Sequence, residues 1–274
     1  MLTEQASIEK LRWVMAQLRD PETGCPWDIK QTFTSITPHT IEEAYEVADA
    51  VIDAVEQQDF SELEKELGDL LFQVIFYSQL GQEQKHFDFD SVVAAICEKL
   101  IRRHPHVFGD KNLNSDAEIN MNWENEKAQE RITKNNDEAL SVLADIPKNL
   151  PALSQAAKIQ KRCAHVGFDW HNIQDVFDKV VEEVDEVKVE IDENNPGALA
   201  EELGDLMFAV VNLCRHAKQD PEQLLRQANQ KFTKRFHGVE RQVHDSGIEI
   251  ERHSLETLEE YWQQVKLEEK ASKV

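Results

Sequence analysis

The sequence predicts an all-α protein built as two tandem copies of one acidic helical module. Three observations carry that prediction. Helical spacing of apolar residues dominates the chain, and no alternating strand pattern of useful length occurs. Breakers are scarce, with 9 Gly and 8 Pro among 274 residues, which favours long helices. Four motifs also recur in the same order at offsets of 132 to 140 residues.

In chain order, the first copy carries Glu42-Glu43-x-x-Glu46, Glu66-Leu67-Gly68-Asp69-Leu70, Lys99-Leu100-x-x-Arg103 and Trp123-x-x-x-Lys127-x-x-Glu130. The second carries Glu182-Glu183-x-x-Glu186, Glu202-Leu203-Gly204-Asp205-Leu206, Lys231-Phe232-x-x-Arg235 and Trp262-x-x-x-Lys266-x-x-Glu269. Any one motif alone is weak in a chain this rich in Glu. Their shared order divides the chain into modules at 1–132 and 150–274. The segment 133–149 is then a linker, holding the polar stretch Thr133 to Glu138 and Asp145-Ile146-Pro147. Helix starts are expected where Asn195-Pro196 and Asp220-Pro221 place a cap before a first-turn proline. Ser61 followed by Glu64 reads as a capping box.

The formal net charge of −23 would repel nucleic acid from most of the surface, which excludes a sequence-reading DNA binder. No apolar run reaches 18 residues, so no membrane span is expected. The first ten residues contain no apolar signal core. Cys25, Cys97, Cys163 and Cys214 lie far apart and form no Cys-x-x-Cys pair, so neither a zinc knuckle nor a disulfide framework is indicated. These features together predict a reduced, cytoplasmic protein.

The acids of the second copy are the candidate site. Glu183 and Glu186 are three apart and share a helix face, as do Glu202 and Asp205 on the next helix. A short connection around Asn194-Asn195-Pro196-Gly197 makes the two helices antiparallel neighbours, so four carboxylates converge at one level. Such an oxygen set suits a hard divalent cation such as Mg²⁺. Solvated acidic faces are the ordinary alternative, but the runs Leu206 to Val211 and Leu70 to Phe76 are apolar nearly all round and predict burial. Unpaired carboxylates beside a buried surface are costly unless a cation offsets them. Gly68 and Gly204, each just before an Asp, are unfavourable inside a helix. Close approach of a ligand and tight helix packing both explain them. Glu43 has a further alternative, since Thr40-x-x-Glu43 fits a capping box, but Val180 stands at the matching place in the second copy.

A cation held by acids often serves a phosphate, and phosphate also attracts Lys and Arg. Lys231 and Arg235 share one helix face within a basic island, Lys179 lies one turn before Glu183, and Trp262 is available for stacking or packing.

At this point the residues resemble a known family. Glu-Glu-x-x-Glu followed by Glu-Leu-Gly-Asp looks like the all-α nucleoside triphosphate pyrophosphohydrolases, and the two-copy chain is similar to the MazG family. The segments Gly24 to Asp28, Arg102 to Phe108 and Arg162 to Trp170 carry the same likeness. The resemblance implies four-helix-type modules, a homodimer, Mg²⁺ with Mn²⁺ as a substitute, and hydrolysis of a broad range of nucleoside triphosphates to monophosphate and pyrophosphate. It implies Glu183, Glu186, Glu202 and Asp205 as metal ligands, with Lys179, Lys231, Arg235 and Trp262 on the nucleotide. Glu182 or Glu183 is the expected proton acceptor from the attacking water. Glu43, Glu46, Glu66, Asp69, Lys99 and Arg103 form a possible second site. That copy departs at one position, with His39 where the second has Lys179, so its phosphate site is expected to be weaker. A non-catalytic acidic helical scaffold, or a nucleotide-binding regulator, is the competing reading. A di-iron bundle lacks its second Glu-x-x-His motif, and no P-loop pattern occurs.

Overall fold

The computed structural model describes residues 7–134 and 141–271, and the described residues form helices and connections without a strand. Part of the polar stretch expected between the modules, 135–138, lies outside them. The chain divides into two compact units between Trp123 and Glu124, within helix α7 (Asp116–Lys134).

The first unit is built on α1 (Ile8–Leu18), α3 (Thr37–Gln57), α4 (Ser61–Glu83) and α5 (Phe89–Arg103), with short α2 (Pro26–Lys30) and α6 (Pro105–Phe108) between them. Helices α3 and α4 form an antiparallel hairpin through a three-residue connection, and α1 and α5 pack on α4. Met15, Ile36, Ile75, Phe76 and Leu80 form the core, with Phe33, Phe72 and Tyr77 against it.

The second unit repeats the plan. Helix α8 (Ala152–His165) packs on the hairpin of α9 (Ile173–Asp192) and α10 (Pro196–His216). Helix α11 (Pro221–Ser246) pairs with α12 (Leu255–Ala271) around Val239, Val243 and Val265. These two approach closely because residue 238 is glycine, where a Cβ would sit 2.7 Å from Val265.

The proline-marked starts are as expected. The Asn195 side chain accepts from the Ala198 N–H, and Asp220 accepts from the Gln223 N–H at 2.9 Å. The start at Ser61 is different. The cap position is Phe60, and Asp59 accepts from the Ser61 N–H at 3.0 Å, so Ser61 and Glu64 form no capping box. Burial also differs from expectation. Met207 is 59% exposed and Val210 41%, because α10 lays only one stripe on α9 and α8. No described helix is long and apolar enough to cross a membrane, and all four cysteines are free.

Candidate functional site

The α9–α10 hairpin sets the second unit's carboxylates. It turns at Asn194, whose φ is +50°, and Asn195 then caps α10. Glu183 faces inward and is only 6% exposed. Oxygens of Glu183, Glu202 and Asp205 come within 4.8 Å of one another. Glu186 lies outside this tight triplet, but its charge reaches it: burial first, then the charges of Glu186, Asp205 and Glu183, push the Glu202 carboxyl above its ordinary range. Lys179 Nζ lies 2.8 Å from both Glu182 and Glu183, one turn earlier on α9. Hydrogen bonds to Glu182 and then Glu183 raise its pKa and hold the ammonium charged.

Behind the carboxylates lies a cavity of about 170 Å³. Lys179, Glu183 and Asp205 border it, and the rest of its wall is mostly apolar, including Val176, Phe208 and Ala209. Two buried amides, Gln160 and Asn212, also line it. Arg215 at its edge donates to Asn212 Oδ1 and to both carboxylate oxygens of Asp169. The Arg215 hydrogen bonds, opposed by desolvation and aided by His216, hold the Asp169 carboxyl down at about 2.

The other expected nucleotide contacts stand apart from this cavity. Arg235 pairs with Glu269 at 2.9 Å, and its guanidinium lies 5.9 Å from the Trp262 ring centroid. Trp262 packs against Phe232 at 5.0 Å and joins the α11–α12 core, while Lys231 is exposed on α11. None of Lys231, Arg235 and Trp262 lines the cavity.

In the first unit, Glu43, Glu46 and Glu66 converge within 4.8 Å, with exposed Asp69 outside the triplet. Burial first, then the charges of Asp69 and Glu46, raise the Glu43 pKa. Thr40 sits inside α3 and its hydroxyl donates to the Ile36 carbonyl, so it caps nothing and the capping explanation of Glu43 falls. His39 lies 3.5 Å from Glu42 and against Trp27, with no counterpart of the Lys179 bridge to Glu43 among the described ion pairs. In Glu83-x-x-His86, the single sequence match to a di-iron Glu-x-x-His motif, Glu83 is engaged by Arg19 at 2.7 Å. Lys99 lies exposed on α5, and the Arg103 carbonyl accepts from Trp123 Nε1 at 3.0 Å.

The decisive difference lies one layer in. Aligning the Glu-Leu-Gly-Asp motifs places Phe76 opposite Asn212 and Gln73 opposite Ala209. Phe76 is 1% exposed in the first unit's core, and Gln73 turns its amide to Glu43 at 3.5 Å. Larger side chains therefore stand at the positions matching two that line the second unit's cavity. A Cβ added at Gly68 or Gly204 would meet nothing within 4 Å, so tight packing inside either unit does not explain these glycines.

Nothing in the sequence pattern marks Gln160, Asn212 or Arg215. Asp169 stood in a resembling motif, but its partner Arg215 is 46 residues away and only the fold joins them.

The similarity of the chain to known proteins has the same twofold division. A model described as the MazG nucleotide pyrophosphohydrolase domain matches twice, at residues 31–108 and 172–244. The chain is 52% identical over 264 residues to the nucleoside triphosphate pyrophosphohydrolase of Escherichia coli (strain K12), covering 96% of this chain and 98% of that one. It is 42% identical over 259 residues to the nucleoside triphosphate pyrophosphohydrolase/pyrophosphatase MazG of Thermotoga maritima, covering 94% and 95%. It is also 41% identical to the protein YabN of Bacillus subtilis, of which it spans 52%.

Proposed function

We propose the following for this chain, which belongs to the MazG nucleotide pyrophosphohydrolase family: it hydrolyses nucleoside triphosphates to monophosphate and pyrophosphate, and the second unit performs the reaction. The observation that carries the assignment to that unit is the cavity beside Glu183, two of whose lining positions, Asn212 and Ala209, are matched in the first unit by the larger Phe76 and Gln73.

Mg²⁺ fits the donor set, with Mn²⁺ as a substitute. Glu183, Glu202 and Asp205 offer only carboxylate oxygens, the chemistry a hard cation selects, and their mutual repulsion is what a cation would relieve. Glu186 would complete the set. When bound, the cation would neutralise triphosphate charge and acidify water. The chain's own residues do the rest. Lys179 clamps Glu182 and Glu183 in place, and either carboxylate takes the proton of the attacking water as the phosphorus–oxygen bond to pyrophosphate breaks. The Lys179 charge also stabilises the departing pyrophosphate.

Lys231, Arg235 and Trp262 are proposed nucleotide contacts that lie away from their own chain's cavity. The exposed apolar residues Phe177, Val181, Val184, Met207 and Val210 on the α9–α10 hairpin support a homodimer. The four unpaired thiols support a reduced, cytoplasmic setting. No nucleic-acid partner is proposed, because the net charge is −23.

The test is pyrophosphate release from a panel of nucleoside triphosphates with Mg²⁺, Mn²⁺ or no added metal. Release that needs the metal and is lost in Glu183→Ala supports the reading. Failure to release pyrophosphate from any triphosphate overturns it and favours the scaffold. Sedimentation of the purified protein tests the dimer, and a fully active monomer contradicts it.

A further inference from the structure

We propose that a groove between α8 and the α10–α11 corner binds a diphosphate anion, and that Arg215 transmits this binding to the hydrolytic site as product inhibition; the second half rests on the second unit being that site.

The charge pattern singles out this face. The chain carries 53 acidic and 30 basic residues, yet α8 holds Lys158, Lys161, Arg162 and His165 and no acid. Lys158 and Lys161 are three apart and share one face of the helix. Lys218 joins them from the turn between α10 and α11. The groove they border has a volume of about 420 Å³, and Leu150, Ala157 and Pro221 give it apolar walls.

The protein's own acids do not use up these cations. Lys158 and Lys218 are exposed and enter no ion pair among the described residues. Lys161 lies 3.2 Å from Glu124, which Lys127 already holds at 2.9 Å. Asp220 also lines the groove, but its carboxylate caps α11 by accepting from the Gln223 N–H. The first unit is different. There α1 packs on α4 as α8 packs on α10, and its Arg12 is paired with Glu9 at 3.3 Å and Asp90 at 3.0 Å.

Three ammonium groups around one groove make a local positive field in an acidic protein. Such a field favours a compact anion of several charges. No aromatic ring lines the groove, so a nucleobase would have nothing to stack on. A diphosphate concentrates its charge within the groove, and the proposed reaction releases one at each turnover.

Arg215 lines both this groove and the cavity beside Glu183. It donates through Nε and Nη2 to Asn212, and through Nη1 and Nη2 to Asp169, and both of those residues border the cavity. An anion in the groove competes for this guanidinium. Its binding therefore loosens the cavity wall and weakens substrate binding, and by linkage substrate weakens the anion.

The first test is calorimetric titration of the full chain with methylenediphosphonate, which cannot be hydrolysed, in the absence of divalent cations. One molecule should bind per chain. The double variant Lys158→Gln/Lys218→Gln should bind at least about tenfold more weakly, and Glu183→Ala should stay within about twofold of wild type. Sulfate should also bind at least about tenfold more weakly than the diphosphonate. The proposal is overturned if the wild type does not bind, if the lysine variant binds as tightly, or if sulfate matches the diphosphonate. The second test adds methylenediphosphonate to the hydrolysis assay with Mg²⁺. It should raise KM at least about threefold more in wild type than in the lysine variant, whose kcat/KM without inhibitor should stay within about twofold of wild type. Equal inhibition of the two proteins overturns the link through Arg215. If no triphosphate is hydrolysed, the catalytic reading fails, and the titration still decides whether the groove binds the anion.

Discussion

The two hairpins α3–α4 and α9–α10 carry the same acids and differ in what lies behind them. In the first unit, Phe76 and Gln73 fill the interior and Gln73 reaches Glu43. In the second, Asn212 and Ala209 leave a cavity, and Lys179 bridges Glu182 and Glu183 where the first unit has only His39 near Glu42. Under the proposed reading, four shared carboxylates do not make two equal sites: what stands beside and behind them would set whether a substrate has room and whether a fixed cation faces its phosphates.

The largest expected effect comes from that cation. Removing a positive charge opposite a triphosphate costs about 2–4 kcal/mol of transition-state stabilisation, roughly two to three decades in rate. Lys179→Ala should lose that much kcat/KM, whereas His39→Ala should change it by less than about twofold, because His39 stands beside Glu42 and Trp27 in the unit not proposed to carry the reaction. Equal losses from the two variants would erase the distinction between the units.

Exchanging the interior residues sharpens the comparison. Asn212→Phe should close the second cavity and lower kcat/KM by about a hundredfold, the scale of a misplaced substrate. The reverse change, Phe76→Asn, should destabilise the first unit by about 3–5 kcal/mol, read by chemical denaturation, and should add no hydrolysis. Full activity in Asn212→Phe would show that the cavity holds no part of the substrate.

A smaller effect separates the units by pH. Because Asp169 is held down at about 2, its ion pair with Arg215 and His216 stabilises the second unit fully above about pH 4, the ordinary carboxylate value. That contribution is lost as pH falls from there toward 2. Asp169→Asn should cost on the order of 2 kcal/mol at pH 7, and the gap from wild type should close near pH 2 in thermal melts. A gap that persists unchanged at pH 2 would refute the assignment.

The smallest effect concerns the paired glycines. With open space at both Cβ positions, Gly68→Ala and Gly204→Ala should each stabilise the helix by up to about 1 kcal/mol. A fall in activity for Gly204→Ala but not Gly68→Ala would mean that a ligand or a second chain approaches Gly204.

The helical class and the repeat were legible because acids, glycines and prolines recur at spacings that local geometry enforces. Asn195 and Asp220 announced their helices, since capping depends on a few neighbouring residues. Ser61 misled because Asp59, two residues earlier, supplies the acceptor instead. The carboxylates were legible as pairs on helix faces, but which of them close into a triplet was not. Glu46 joins Glu43 and Glu66 in the first unit, while Asp205 joins Glu183 and Glu202 in the second. No spacing rule along the sequence encodes that choice. The run Leu206 to Val211 suggested complete burial, yet Met207 and Val210 stay exposed, because apolar composition does not say what covers a face. Gln160 and Asn212 left no trace in the sequence, since they meet across a cavity that exists only once α8 packs on α10.

One matched pair of variants tests the division of labour most directly. Pyrophosphate release should be measured for Glu43→Ala and Glu183→Ala at saturating Mg²⁺ and nucleoside triphosphate. The account predicts that Glu183→Ala loses at least about a hundredfold, while Glu43→Ala keeps most of the wild-type rate. Two variants each retaining about half the rate, or an inactive Glu43→Ala beside an active Glu183→Ala, would contradict it.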